Sequence, residues 1–186
     1  MRHSLLVLLM CSILVSTAHA QSLRVGQVNA PGVNCFYNPT CVVVVQDFTD
    51  HVLGMATERS NVLRMRTLVA AADAPLAGLY GHQYQVDLRD PGDGVPMCID
   101  RVAIDFRGPI VPFDYTGDGV GQDVYVITRG SMGAIGPAVV QRQDNAILFR
   151  FPPPFVCTGE TTFFFGFTSS EAPRLGGLPA EVSVMR

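Results

Sequence analysis

The sequence predicts an all-β fold, a single domain of antiparallel strands in two layers. Three observations carry this. Apolar and polar residues alternate with a period of two, Gly/Pro/Asn/Asp turn formers recur between the alternating runs, and four cysteines lie beyond an N-terminal leader. A period of two puts every second side chain on one face of a sheet. Short strands joined by Gly/Pro turns build sandwiches or barrels.

The leader comes first. Arg2 and His3 precede an apolar run over 5–15, broken only by Ser12, and Ala18-His19-Ala20 follows. A basic start, a short apolar core and small residues at the minus three and minus one places make a secretory signal peptide. Cleavage after Ala20 leaves Gln21 first. The run is shorter than the ~20 residues of a membrane-spanning helix. Met10 stands where a lipid-modified Cys11 would need a small residue. The expected organisation is a signal peptide over 1–20, a loosely packed arm over 21–40 rich in Gly, Pro and Asn, and a β-sandwich over 41–186. The expected destination is the periplasm or the exterior.

Without Arg2, twelve basic side chains face sixteen acidic ones, a net charge of about −4, with no Lys/Arg run. Nucleic acid and anionic membrane surfaces need dense positive charge, so neither is an expected partner. No apolar stretch beyond the leader reaches membrane-spanning length.

Cys35, Cys41, Cys98 and Cys157 form an even set, and an exported chain meets an oxidising compartment. Of the three possible pairings we favour Cys35–Cys41, closed by the Asn38-Pro39 turn, and Cys98–Cys157 across a long loop.

The elements follow in order. The run 41–45 is β-branched. Asp50 could cap a helix over 51–64, but Gly54 sits within it and the segment reads as two strands and a turn, with a further strand over 62–69 entered at Ser60-Asn61. In 80–88, Tyr80, His82, Tyr84, Val86 and Leu88 alternate with Gly81, Gln83, Gln85 and Asp87, which reads as a strand with one wet face. Val102, Ile104 and Phe106 repeat the pattern. The run 123–129 is β-branched and aromatic. Asp144-Asn145 turns a hairpin between 137–143 and 146–151. The runs 161–169 and 180–185 complete the set. Within 163–167, Phe163, Phe165 and Phe167 share one face and Phe164 takes the other, as in a central strand covered on both sides. Together these strands fit an immunoglobulin-like sandwich or a related one.

One loop has the composition of an ion site. Asp114, Thr116 and Asp118 alternate, Gly119 follows, the Val120 carbonyl comes next, and Gln122 or Asp123 could close the shell. Calcium takes six to eight oxygens, and alternate side chains before a sharply turning glycine supply them. This segment resembles the D-x-[DNST]-x-D-G loops of calcium-binding repeats such as EF-hands, dockerins and integrin-like propeller blades. It departs from them in having Tyr125 at the twelfth place and only one copy. The resemblance implies a structural Ca2+ bound by Asp114, Thr116, Asp118, Val120 and Asp123. The competing expectation is a tight turn whose Asp and Thr side chains bond their own backbone.

Catalytic patterns are weak. Ser131, His82 and Asp105 could be drawn together, but no G-x-S-x-G surrounds any serine. His82 reads as a core histidine with a backbone partner. The expected function is a non-enzymatic, exported binding or envelope-associated module for an extracellular ligand or protein. Two alternatives stay open: a hydrolase of an extracellular polymer, and a surface protein that assembles through sheet edges.

Overall fold

The computed structural model describes residues 20–42, 45–52, 62–89, 96–130, 133–153, 155–172 and 180–185. Its elements are β1 (Gln21–Ser22), β2 (Val25–Asn29), α1 (Ala30–Tyr37), β3 (Val45–Val52), β4 (Val62–Val69), β5 (Tyr80–Asp87), β6 (Cys98–Asp105), β7 (Val124–Arg129), β8 (Val139–Gln143), β9 (Ala146–Arg150), β10 (Val156–Cys157), β11 (Phe164–Ser169) and β12 (Ala180–Met185).

They form two sheets. One has the order β2-β7-β11-β5-β4-β3, antiparallel except for the β2–β7 pair. In the other, β1, β8, β9 and β6 lie side by side. There β9 and then β10 line one edge of β6, while β12 runs along the opposite edge from Ile104 to Cys98. Prolines have no N–H to give a ladder, and Pro152 and Pro153 bulge out between β9 and β10. The chain thus returns in β10 to the edge of β6 that it left in β9.

The core lies between the sheets. Tyr84, Val86, Val124, Val126, Phe165 and Phe167 of the first face Ile99, Val102, Ile104, Val140, Ile147 and Phe149 of the second. The Phe149 and Phe165 rings meet at 4.5 Å. The hairpin turn falls at Asp144, whose φ of 51° suits such a turn.

The arm expected over 21–40 is not loose. It crosses from one sheet to the other, as β1 pairs with β8 and β2 with β7. Then α1 lies on the outer face of the first sheet. Its residues Val33 and Tyr37, four apart and so on one face, are fully buried with Leu68, Tyr125 and Phe164. Pro31 at the helix start needs no N–H partner there. Past the helix end, the 71–79 turn donates its Ala71 and Leu76 N–H groups to the carbonyls of Tyr37 and Phe36. Apolar burial thus outweighs the turn-forming residues around it.

This covering layer also corrects the wet face expected on β5. Gln83, Gln85 and Asp87 are buried. Gln85 Nε2 donates to the Thr162 carbonyl at 3.0 Å, and Asp87 sits between the guanidinium groups of Arg64 (3.0 Å) and Arg89 (2.6 Å). Polar side chains can be buried when their partners come with them. Phe164 is buried beneath the Arg66 guanidinium, 4.0 Å from the ring centroid, so β11 is covered on both faces as expected.

Residues 53–61 of the segment 51–64, residues 43 and 44 of the early strand run, Ser131 and the leader residues 1–19 lie outside the described residues.

Candidate functional site

The acidic loop stands at the edge of the layer that covers the first sheet. Phe113 and Gln122 exchange backbone hydrogen bonds of 3.0 and 2.8 Å, which closes 114–121 into a compact loop. At its base, the rings of Phe36 and Phe113 meet edge to face at 5.0 Å. The Tyr115 ring lies 4.9 Å from that of Tyr125. The Tyr115 and Tyr37 hydroxyls each lie 2.6 Å from Thr168 Oγ1, tying loop and helix to the central strand β11. Burial raises the pKa of both tyrosines well above its ordinary value.

Within the loop the carboxylates bind backbone. Asp114 Oδ1 accepts from the N–H groups of Gly117 (2.7 Å) and Asp118 (3.1 Å), and Oδ2 from Gly119 (2.8 Å). Gly117 and Gly119, at φ of 76° and 83°, turn these N–H groups inward, a conformation that favours glycine. Asp118 Oδ1 accepts from the Val120 N–H at 2.8 Å. This bond, followed by the Thr116 hydroxyl, lowers the Asp118 pKa below the ordinary carboxylate value.

Gln122 fills the centre of the loop. Its Nε2 lies 3.0 Å from Thr116 Oγ1, 2.6 Å from the Val120 carbonyl and 3.3 Å from Asp118 Oδ1. Its Oε1 accepts from the Tyr115 N–H at 2.8 Å. The amide is held the right way round: reversing it would set an oxygen among three oxygens.

Three of the oxygens assigned to calcium therefore do converge, but on an amide nitrogen. Asp123 does not join them. Its Oδ2 accepts from the Arg24 N–H at 2.8 Å, with Arg24 Nε 3.8 Å away. As arranged, the set does not make a calcium shell: Asp114 is committed to three N–H groups, Asp123 points to Arg24, and the Gln122 amide holds the centre. No group of three or more His, Cys, Asp or Glu side chains suited to a metal occurs among the described residues. The sequence pattern contained Gln122 as a possible ligand. What it could not show is that a donor, not an acceptor, faces inward. Because Asp114 holds three N–H groups, Asp114→Asn should lower stability by about 1–2 kcal/mol, more than Asp118→Asn does. Urea denaturation checks the order of the two.

Both expected disulfides form, Cys35–Cys41 and Cys98–Cys157. The first fastens the end of α1 near the aromatic base of the loop; the second joins β6 to β10.

His82 is a core residue. It is 4% exposed, stacks on Phe167 at 5.2 Å, and has Nε2 3.4 Å from the Glu171 carbonyl. Desolvation lowers its pKa from 6.5 to about 4, against a smaller opposing effect of that carbonyl. Asp105 faces Arg107 at 3.7 Å.

No protein-family model, curated protein or solved structure matches this chain. What the site can do is read from its chemistry. A rigid loop presents Asp118, Thr116 and Val120 to solvent, Val120 being 47% exposed, above a half-buried pair of phenylalanines. Among the described residues no helix is long and apolar enough to cross a membrane.

Proposed function

We propose that the chain is an exported, non-enzymatic binding module, an immunoglobulin-like or related sandwich that meets an extracytoplasmic protein or polymer through the loop over 113–123. The signal-peptide pattern and the disulfides support export, since disulfides persist in oxidising compartments. The observation that carries the binding reading is the prebuilt loop: its own side chains hold it in one shape while Val120 stays exposed at its tip. A loop already ordered loses little freedom on binding, and recognition often sits on loops fixed by a rigid scaffold.

Val120→Asp removes an exposed apolar contact without touching the core. Presented with purified envelope polymers and envelope proteins, the wild type should bind one of them saturably. Val120→Asp should bind it about tenfold more weakly or worse, with unchanged melting. Equal binding by both proteins would move the contact elsewhere. Release of cleaved polymer would replace this reading with the hydrolase, and growth of the particle with concentration in light scattering would favour assembly through sheet edges.

A structural calcium ion is a second reading, favoured by the convergence of Thr116 Oγ1, Asp118 Oδ1 and the Val120 carbonyl. It requires the Gln122 amide to leave the centre. A melting temperature that rises with calcium over chelator supports the ion, because a ligand of the native state alone stabilises it. Equal melting supports the amide-centred loop.

A further inference from the structure

We propose that the mature chain is modified at its first residue, with Gln21 cyclised to pyroglutamate once the leader is cut after Ala20. The proposal rests on the export reading above. Ala20, Gln21 and Ser22 are exposed, so the Ala20–Gln21 bond is open to a peptidase. The first strand of the described residues, β1, begins immediately beyond it.

Cleavage turns the Gln21 nitrogen into a primary amine with a pKa near ~8, so part of it is neutral and nucleophilic at neutral pH. That nitrogen attacks Cδ of its own side-chain amide. The new N–Cδ bond closes a five-membered lactam, the Cδ–Nε2 bond breaks, and Nε2 departs as ammonia with the proton lost by the attacking nitrogen. The exposed side chain is free to turn back. A two-residue strand at a sheet edge opens at little cost.

The register of β1 shows what this product changes. The Leu23 N–H donates to the Val140 carbonyl at 2.9 Å, which makes Ser22–Gln141 the open pair of the ladder. Pairs alternate along an antiparallel ladder, so Gln21–Arg142 is the hydrogen-bonded pair. On cyclisation Cδ takes the place of the hydrogen that faces Arg142, as in proline, so that pair loses the Gln21 donor and keeps the Gln21 carbonyl as acceptor. Cyclisation also discards a charge. A neutral lactam replaces the free ammonium at the position paired with Arg142. The Arg142 guanidinium is already turned to the carbonyls of Phe106 (3.3 Å) and Gly108 (3.0 Å). The product is a neutral end, with the chain still held through the Leu23 N–H on the Val140 carbonyl and with no amine for an aminopeptidase to grip.

The test uses the full chain, leader included, expressed in an exporting host. Mature protein is recovered from the periplasm or medium, and its intact mass and N-terminal peptide are measured beside those of Gln21→Ala. The expected wild-type mass is one ammonia below that of a chain starting at Gln21, with N-terminal sequencing blocked and resistance to aminopeptidase. Gln21→Ala should be cut at the same bond, read through by sequencing and trimmed. A wild-type chain that starts at Gln21 and keeps its amine through prolonged incubation at neutral pH overturns cyclisation and leaves export standing. A chain that retains its leader overturns the export reading and the cyclisation with it, while one cut at another residue overturns the cyclisation and leaves export standing.

Discussion

Replacing Cys98 and Cys157 together by serine should lower the unfolding free energy by about 4 kcal/mol, as expected from chain entropy for a loop of this size. The link spans 59 residues, and without it the unfolded chain regains the freedom that closure had removed. The neighbouring bonds soften the loss in the native state but do not replace the link. The Cys157 N–H donates to Glu160 Oε2 at 2.7 Å, and the Thr158 N–H to the Met97 carbonyl at 3.0 Å. Both survive the substitution, so the double variant should still fold, at a lower denaturant midpoint. Cys35–Cys41 spans only 6 residues, and the same reasoning gives about 2 kcal/mol for its removal. Urea denaturation of the two double variants checks this. A larger loss for the Cys35/Cys41 pair would show that the short disulfide acts through the native packing of α1 and not through the unfolded chain.

Acid should weaken the protein well above the range where its carboxylates titrate. The cause is His82, whose pKa falls from 6.5 to about 4 in the folded state, chiefly through burial. Between these values the unfolded chain takes up a proton that the native core refuses. The stabilisation is complete above the unfolded value and is lost as pH falls toward the folded one, roughly 3 kcal/mol across that window. Asp87 and Asp118 have lowered pKa values, Asp87 mainly through its hydrogen bond from Arg89 and Asp118 through that from the Val120 N–H. Their contributions fade only below the ordinary carboxylate value, so the two windows separate. His82→Phe, which keeps a ring against Phe106 and Phe167, should flatten the upper window and leave the lower one. A wild-type stability that stays level across the upper window would show that His82 titrates normally.

The strands were legible in the sequence because alternation reports one buried face directly. Val102, Ile104, Phe165 and Phe167 point into the core as their spacing requires. Alternation does not report whether the second face is wet. Gln83, Gln85 and Asp87 looked like solvent residues and are buried: Thr162 from a distant part of the chain meets Gln85, and Arg64 and the nearby Arg89 meet Asp87. The helix α1 was hidden for a related reason. Eight residues that include Pro31, Gly32 and Asn34 have little helical preference, and their shape is set by Val33 and Tyr37 finding the sheet. At the loop, spacing suggested that Asp114, Thr116, Asp118, Val120 and Asp123 would share a centre, and only Thr116, Asp118 and Val120 do. It could not foretell what they converge on, since that depends on which end of the Gln122 amide the Tyr115 N–H selects.

The two edge strands contributed by residues 21–29 have a temporal meaning. β1 waits for residues 141 and 142, and β2 for 124–129, so the earliest part of the folded body to be synthesised finds its neighbours among the later ones. Such long-range pairings slow folding. A ribosome or an export channel would release most of this chain before its first strands could dock, and the polypeptide should therefore stay open, and open to a translocation machine, until late in its synthesis.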